Sequence, residues 1–364
     1  GWLLARNSFS HEDLYRHQCG RSLAGTSAGS DLISSLRGGC SPHEAISNLT
    51  RRLLRADNHR PRNDETFLMK SSSLQIGSFT FNWGSRTYVM GILNVTPDSF
   101  SGDGIIAKGN AVEIAVEQAR SFLASGADIL DVGGESTRPG SAPVNADEEM
   151  GRVIPIIHAL NKKFPEAILS IDTYKAQVAE EAIKAGAHII NDVWGLRADD
   201  ELASVAAKYK TPVILMHNRS NPASVEVREK FGNAYIGAEY ENLIEDVKRE
   251  LMNSVELARK AGIAESHIVL DPGVGFGKTR EHNLELVNRL DEIRQLGYPI
   301  LLGTSRKSFI GFTLDLPADQ RVEGTAATVS VGITRGADII RVHDVKEMAR
   351  VAKMTDAVVR SASR

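Results

Sequence analysis

Eight times between residues 87 and 342, a short run rich in β-branched residues gives way to a longer stretch patterned for a helix. No other feature limits the fold as much. The β-rich runs are TYVMGIL (87–93), ADILDVG (127–133), AILSID (167–172), HIIND (188–192), TPVILMH (211–217), HIVLD (267–271), YPILLG (298–303) and ADIIRV (337–342). The stretches between them are amphipathic, as in AVEIAVEQARSFLASG (111–126), which ends on Gly126 as a helix C-cap. Strands that alternate with helices predict parallel strands joined by helical crossovers. Eight such units in residues 74–364 fit a (β/α)₈ TIM barrel, with a doubly wound open sheet as the alternative. Just upstream, LQIGSFTFNWG (74–84) alternates like a short N-terminal hairpin with Gly77 in its turn.

Residues 1–73 differ in character from residues 74–364. They are rich in Ser and Gly and use nine Arg but one Lys. One helix is expected, over 42–57, with Ser41 as N-cap, Pro42 in the first turn and Ile46, Leu49, Leu53 and Leu54 on one stripe. Such a segment buries no core of its own, so it reads as an extra, poorly ordered leader or linker, with the triplet Ser71-Ser72-Ser73 at the boundary. An organellar transit peptide is the alternative that its Arg and Ser suggest, weakened by seven acidic residues. Residues 74–364 then form the catalytic domain.

The formal net charge of -3 divides into +3 for residues 1–73 and -6 for the remainder. An acidic body argues against nucleic acid as the main partner, because phosphate binding needs a basic face. Cys19 and Cys40 both lie in the leader, so the body has no disulfide, zinc-thiolate or thiol-nucleophile chemistry. Nothing approaches an apolar membrane span. A cytoplasmic protein without membrane contact is expected, or an organellar one if residues 1–73 are a transit remnant.

Each strand begins apolar and ends polar or glycine-rich. The ends read GILNVTPDSF, DVGGESTRPG, SIDT, IIND, MHN, DPGVGFGK, GTSRKS and RVHD. In a barrel these converge on one face, where barrel enzymes keep their sites. Asp172, Asn191 and Asp271 offer acceptors and an amide suited to the N–H edge of a flat heterocycle, whereas Asp192 reads better as a cap. Arg138, Arg306, Lys307, Arg341 and His343, with Ser305 and Ser308, form a basic rim suited to an anion. DPGVGFGKT (271–279) is not a Walker loop, since Pro272 stands where the first Gly is needed. Its glycines instead allow sharp turns and close backbone approach. His217 and His343 lack the spacing of a zinc site.

Taken together, MGILNVTPDSFSGDG (90–104), DVGGESTRPG (131–140), SIDT (170–173), DPGVGFGKT (271–279), SRKSFIG (305–311) and RVHDV (341–345) closely resemble the dihydropteroate synthases, over essentially all of 74–364 and in the family's order. The resemblance implies a folate-pathway transferase. It would join p-aminobenzoate to 6-hydroxymethyl-7,8-dihydropterin diphosphate, giving 7,8-dihydropteroate and diphosphate. Carried over by position, Asp172, Asn191, Met216, Asp271 and Lys307 would hold the pterin. Asn94, Thr137, Arg341 and His343 would face the diphosphate, with Asn94 near Mg²⁺. Arg138, Pro139, Phe276 and Ser308 would shape the p-aminobenzoate site, which is also where sulfonamides bind. Asp172, Asp271, Lys307 and Arg341 would carry catalysis. A homodimer with small-molecule partners is implied.

Two places depart from the family pattern. The loop usually reads S-D-G-G, and here it is Ser101-Gly102-Asp103-Gly104. After strand five the family's M-H-M becomes Met216-His217-Asn218-Arg219-Ser220. Rival functions are a pterin-dependent methyltransferase of the same barrel family and a non-catalytic pterin-binding paralogue. The long STRPG and SRKSFIG motifs oppose the first, and retained Asn94, Arg138, Lys307 and Arg341 oppose the second.

Overall fold

The computed structural model describes residues 69–95, 111–136, 141, 143–221, 225–226, 234–235 and 237–360. The expected leader helix at 42–57 and both cysteines lie outside the described residues, as does all of 1–73 before Met69. Met69 packs against the apolar cluster at the barrel floor, and the Lys70 N–H donates to the Gly297 carbonyl (2.8 Å).

The described chain opens with an antiparallel hairpin, β1 (Ser73–Ile76) and β2 (Phe79–Asn82), turning at Gly77 with φ +57. That positive φ is one that Gly adopts without strain. The barrel strands β3 (Tyr88–Asn94), β4 (Ile129–Gly133), β5 (Ile168–Asp172), β6 (Ile189–Asp192) and β7 (Val213–Met216) come next in the chain. A two-residue pair, β8 (Val225–Glu226) with β9 (Ala234–Tyr235), is inserted after them. The barrel then finishes with β10 (Ile268–Asp271), β11 (Leu301–Leu302) and β12 (Ile339–Val342). Between the strands run α1 (Ala111–Ala124), α2 (Ala146–Lys163), α3 (Ala176–Ala185), α4 (Leu202–Tyr209), α5 (Leu243–Ala261), α6 (Arg280–Asn288), α7 (Leu290–Arg294), α8 (Ser308–Leu314) and α9 (Val322–Thr334). α10 (Val345–Val359) closes the described chain.

All eight sheet strands are parallel in the order β10-β7-β6-β5-β4-β3-β12-β11. A parallel bridge between Leu270 and Ile300, with Leu270 N–H on the Pro299 carbonyl (2.9 Å), joins the two ends. The chain therefore forms the expected (β/α)₈ barrel, and not the open doubly wound sheet. The expected strand at 298–303 is only two residues long. Pro299 brings no N–H to a ladder, and the Ile300 N–H is taken by the Asp338 carboxylate (2.9 Å).

Side chains on a strand alternate between faces, so each barrel strand sends every second residue inward. At the N-terminal end these are Met90, Ile129, Ile168, Ile189, Ile214, Val269, Leu301 and Ile339, one from every strand. The hairpin covers them with Leu74, Ile76, Phe81 and Trp83. Phe81 stacks on Trp83 (5.4 Å between ring centres) and takes the edge of Tyr88 (4.8 Å). Fully burying one such ring stabilises the fold by roughly 1.5–3 kcal/mol. The hairpin is thus a plug, and it closes the end of the barrel opposite the polar strand ends.

Candidate active site

Moving two residues toward the C-terminus keeps the side chain inward and, on β4, β5, β6, β10 and β12, turns it from apolar to polar. Above the apolar floor come Asp131, Ser170, Asn191, Met216, Asp271 and Arg341, and one step higher Asn94 and Asp172. Backbone register places them side by side: Asp131 pairs with Ser170, Asp172 with Asn191, and Asp271 with Met216. The period of the strand therefore builds the site.

Its centre is a buried ionic cluster. Arg341 donates from Nε to Asp131 Oδ2 (2.6 Å) and from Nη2 to Asp172 Oδ2 (2.5 Å). Asn191 Nδ2 donates to the same Asp131 oxygen (3.1 Å). The Asp131 side chain is wholly buried, and its Oδ1, like Ser170 Oγ, has no hydrogen-bond partner. Burial pushes the Asp172 carboxyl up while the Arg341 guanidinium pulls it back down. Breaking a buried pair of this kind costs about 3–5 kcal/mol, because the remaining charge is left without compensation.

A second cluster lies across the pocket. Burial raises the Asp271 carboxyl, opposed by the nearby Lys307 ammonium and by a hydrogen bond from the Gly273 N–H to Oδ1 (2.7 Å). The Lys307 amine is pushed down to about 8 by burial, with Asp271 opposing that fall. Lys307 donates to the Val274 carbonyl and stands 4.7 Å from the centre of the Phe276 ring. The glycines of the 271–279 loop do what their spacing suggests. Gly273 has φ +70, and a Cβ there would fall 1.8 Å from the His217 carbonyl oxygen. Thr279 ends the loop by capping α6, accepting from the His282 N–H (3.1 Å).

The structure brings together Asp172, Asn191, Met216, Asp271, Lys307 and Arg341, with Phe276 beside Lys307. His343 sits one residue past β12, its N–H and Nδ1 both at Ser305 Oγ (3.1 and 3.0 Å). Ser308 begins α8 directly after Lys307. Asn94 is the last residue of β3, paired with Gly133. Thr137, Arg138 and Pro139 lie outside the described residues, as does the SGDG loop at 101–104. Two basic rim residues are committed to carboxylates. Arg306 is paired with Asp344, through Nε at 2.8 Å, and Arg341 turns inward to Asp131 and Asp172. Asp192 does serve the backbone, but it accepts from Trp194 and Leu196 N–H groups in the turn after β6 (2.8 and 2.5 Å), well before α4 begins.

Sequence reasoning missed Asp131, although ADILDVG carries the signal: alternation puts Ile129, Asp131 and Gly133 on one face. It also missed the pairing of Lys175 with Glu135 and Glu149 beneath the start of the STRPG loop. Glu149 lies on α2, where strand-end reasoning does not look, and Lys175 stands at the N-cap of α3, just past the SIDT strand end.

Comparison with known proteins agrees with this geometry. The family model described as "Pterin binding enzyme" matches residues 90–343. The chain is 53% identical over 288 residues to a dihydropteroate synthase of Clostridium beijerinckii, covering 79% of this chain and 100% of the relative. A structure of dihydropteroate synthase from Clostridium difficile, determined in the presence of pteroic acid, superposes with a TM-score of 0.69 at 50% identity. It covers 77% of this chain and 99% of its own. The Yersinia pestis dihydropteroate synthase in complex with a sulfonamide drug gives 0.71 at 41%, covering 79% and 99%. A pterin-binding barrel matched from β3 to His343, and from end to end of such a relative, places the chain in the dihydropteroate synthase family, transferases of folate biosynthesis.

Proposed function

We propose that residues 74–364 are the catalytic domain and that the polar layer above the plug holds the pterin ring edge-on. The observation that carries this is the convergence of Asp131, Asp172, Asn191 and Asp271 with Arg341 and Lys307 at the mouth of the barrel. A flat ring bearing several N–H groups finds acceptors there, and its ring nitrogens and carbonyl find donors. Relatives solved with pteroic acid and with a sulfonamide support both halves of the reading, pterin and arylamine.

The reaction breaks the bond from the pterin methylene carbon to the diphosphate oxygen, and the electron pair leaves with diphosphate. Positive charge grows on the methylene and its ring. The arylamine nitrogen then bonds that carbon and sheds a proton. An aniline is neutral near pH 7, so no strong base is needed. Asp172 and Asp271 stabilise the developing cation, and this electrostatic preorganisation supplies the largest share of the rate. Arg341 and His343 flank the departing anion, with Asn94 and Thr137 beside it. Lys307 fixes the pterin and the loop that carries Phe276. Phe276, Ser308, Arg138 and Pro139 form the arylamine side, where sulfonamides compete.

Among the described residues no three His, Cys, Asp or Glu side chains stand together as a metal cage. The amide oxygen of Asn94, at the mouth end of β3, would be the protein's ligand to a magnesium ion, a hard cation that takes oxygen donors. The ion, when bound, neutralises the leaving diphosphate. Val331, Met354 and Val358 are exposed on α9 and α10, helices joined where Thr355 Oγ1 meets Ser330 Oγ (3.3 Å). Apolar side chains exposed on adjacent helices suit a homodimer. No described helix is long and apolar enough to cross a membrane, in keeping with a cytoplasmic enzyme.

One assay tests the reading. Pterin diphosphate, p-aminobenzoate and Mg²⁺ are supplied and diphosphate release is measured, with release expected only when all three are present. A folded sample that releases none would move the function to pterin binding or methyl transfer.

A further inference from the structure

Lys278, the residue that gives the 271–279 loop its false likeness to a Walker motif, takes no part in the site just described. Its side chain is buried, at 3% exposure. Nζ lies 2.9 Å from the Gly273 carbonyl, 3.1 Å from the Phe276 carbonyl and 2.9 Å from His217 Nδ1. An ammonium has three N–H groups and no lone pair, so all three donate and His217 Nδ1 accepts. A neutral imidazole that accepts at Nδ1 carries its proton at Nε2, which donates to Glu250 Oε2 (3.0 Å). Burial and the adjacent Lys278 hold the His217 imidazole down at about 4, consistent with that neutral ring. Glu250 is in turn ion-paired to Arg219. The order Lys278, His217, Glu250, Arg219 runs from the loop to the surface of α5 with each polar atom matched to a partner of the right kind.

The carbonyls that Lys278 grips belong to the turn on which the pocket depends. Its Gly273 N–H donates to Asp271, its Val274 carbonyl accepts from Lys307, and its Phe276 ring lies beside the Lys307 amine. We propose that Lys278, strapped through His217 to Glu250, is a positioning residue that fixes the 273–276 turn and so aims Asp271, Lys307 and Phe276 at the reacting atoms. This rests on the reading of those three as substrate contacts.

The strap has a charge requirement. His217 faces Lys278 from the end of β7, Glu250 from α5, Arg219 from the turn after β7, Asp271 from β10, Lys307 from the start of α8 and the Tyr240 ring from 6.0 Å. Burial pushes the amine down to about 7, Lys307 and Arg219 add to that, and Asp271 and Glu250 oppose it. Losing the proton removes one of three donors. Glu250 is the member of the network that helps keep the proton while standing outside the pocket.

The test uses Lys278→Met and Glu250→Gln in the full chain, with kcat and KM for both substrates measured across pH. Lys278→Met should retain the wild-type circular dichroism and lose about ten- to a hundredfold in kcat/KM, the scale on which small misplacements act. Glu250→Gln should move the basic limb of the kcat/KM profile to lower pH by about one unit, as loss of a nearby negative charge demands. A folded Lys278→Met with kinetics within about twofold of wild type overturns the proposal, since the turn would then hold its aim without the strap. A basic limb in Glu250→Gln that superimposes on the wild-type limb overturns it too, and decides the matter alone if Lys278→Met does not fold. The assignment of the pocket is read separately, by calorimetry of pterin binding to Asp271→Asn. Wild-type affinity there removes Asp271 as a pterin contact and leaves the Glu250→Gln shift as the measure of the strap.

Discussion

The floor and the mouth of this barrel are made by the same strands, in the same inward positions, only two residues apart. At the floor, Ile129, Ile168, Ile189, Val269 and Ile339 are apolar and meet the hairpin's aromatic rings, with the Trp83 Nε1 N–H as the buried polar atom left without a partner there. At the mouth, Asp131, Ser170, Asn191, Asp271 and Arg341 stand on those same strands and leave two buried oxygens without a partner. One layer is matched to itself, whereas the other is matched to something else. The difference teaches that a strand of four or five residues can carry a stability half and a chemistry half, with the pleat as the only divider.

The sharpest way to break that division is at the plug. Phe81→Ala should cost about 3–5 kcal/mol in unfolding free energy by denaturant titration, with kcat per folded molecule unchanged. A matching fall in kcat would mean that the floor shapes the chemistry. At the mouth the converse is expected. Asp271→Asn should lower turnover by about 10²–10³-fold, the usual loss when a preorganised electrostatic partner is removed, and by more than it weakens p-aminobenzoate binding. Near-normal steady-state turnover would take Asp271 out of its role. The smallest of the three effects is sought at the cluster that bridges strands. Arg341→Ala should raise KM for the pterin diphosphate by about ten- to a hundredfold, since a single charge-assisted contact is worth about 1.5–3 kcal/mol. An unchanged KM would place the anion elsewhere on the rim.

Much of the barrel and its rim is legible in the residues. Eight strands, their order and the polar character of their ends all come from periodicity and turn chemistry, and the motifs carry the family. Partner choice stays hidden. Arg341 reaches Asp131 across a sequence gap of 210 residues, over the intervening strand β3. Alternation fixes the level at which a side chain enters the barrel, and not which neighbour at that level it will take. Arg306 is legible as a basic residue after a strand, but its commitment to Asp344 depends on a loop with φ +55 at that position. Lys278 reads only as the tail of a failed Walker pattern, because Glu250 lies on a helix well upstream of the loop.

The short β11 has a mechanical consequence. A ring of strands yields first where its ladder is shortest, and here the ring is joined through one bridge at Leu270. Asp271 comes directly after that bridge on one side, and Lys307 lies beyond β11 on the other. Widening the joint therefore separates an opposed acid and amine while breaking few backbone hydrogen bonds. The seam between β10 and β11 is the most sparsely bonded in the described barrel, and Asp271 stands directly after it.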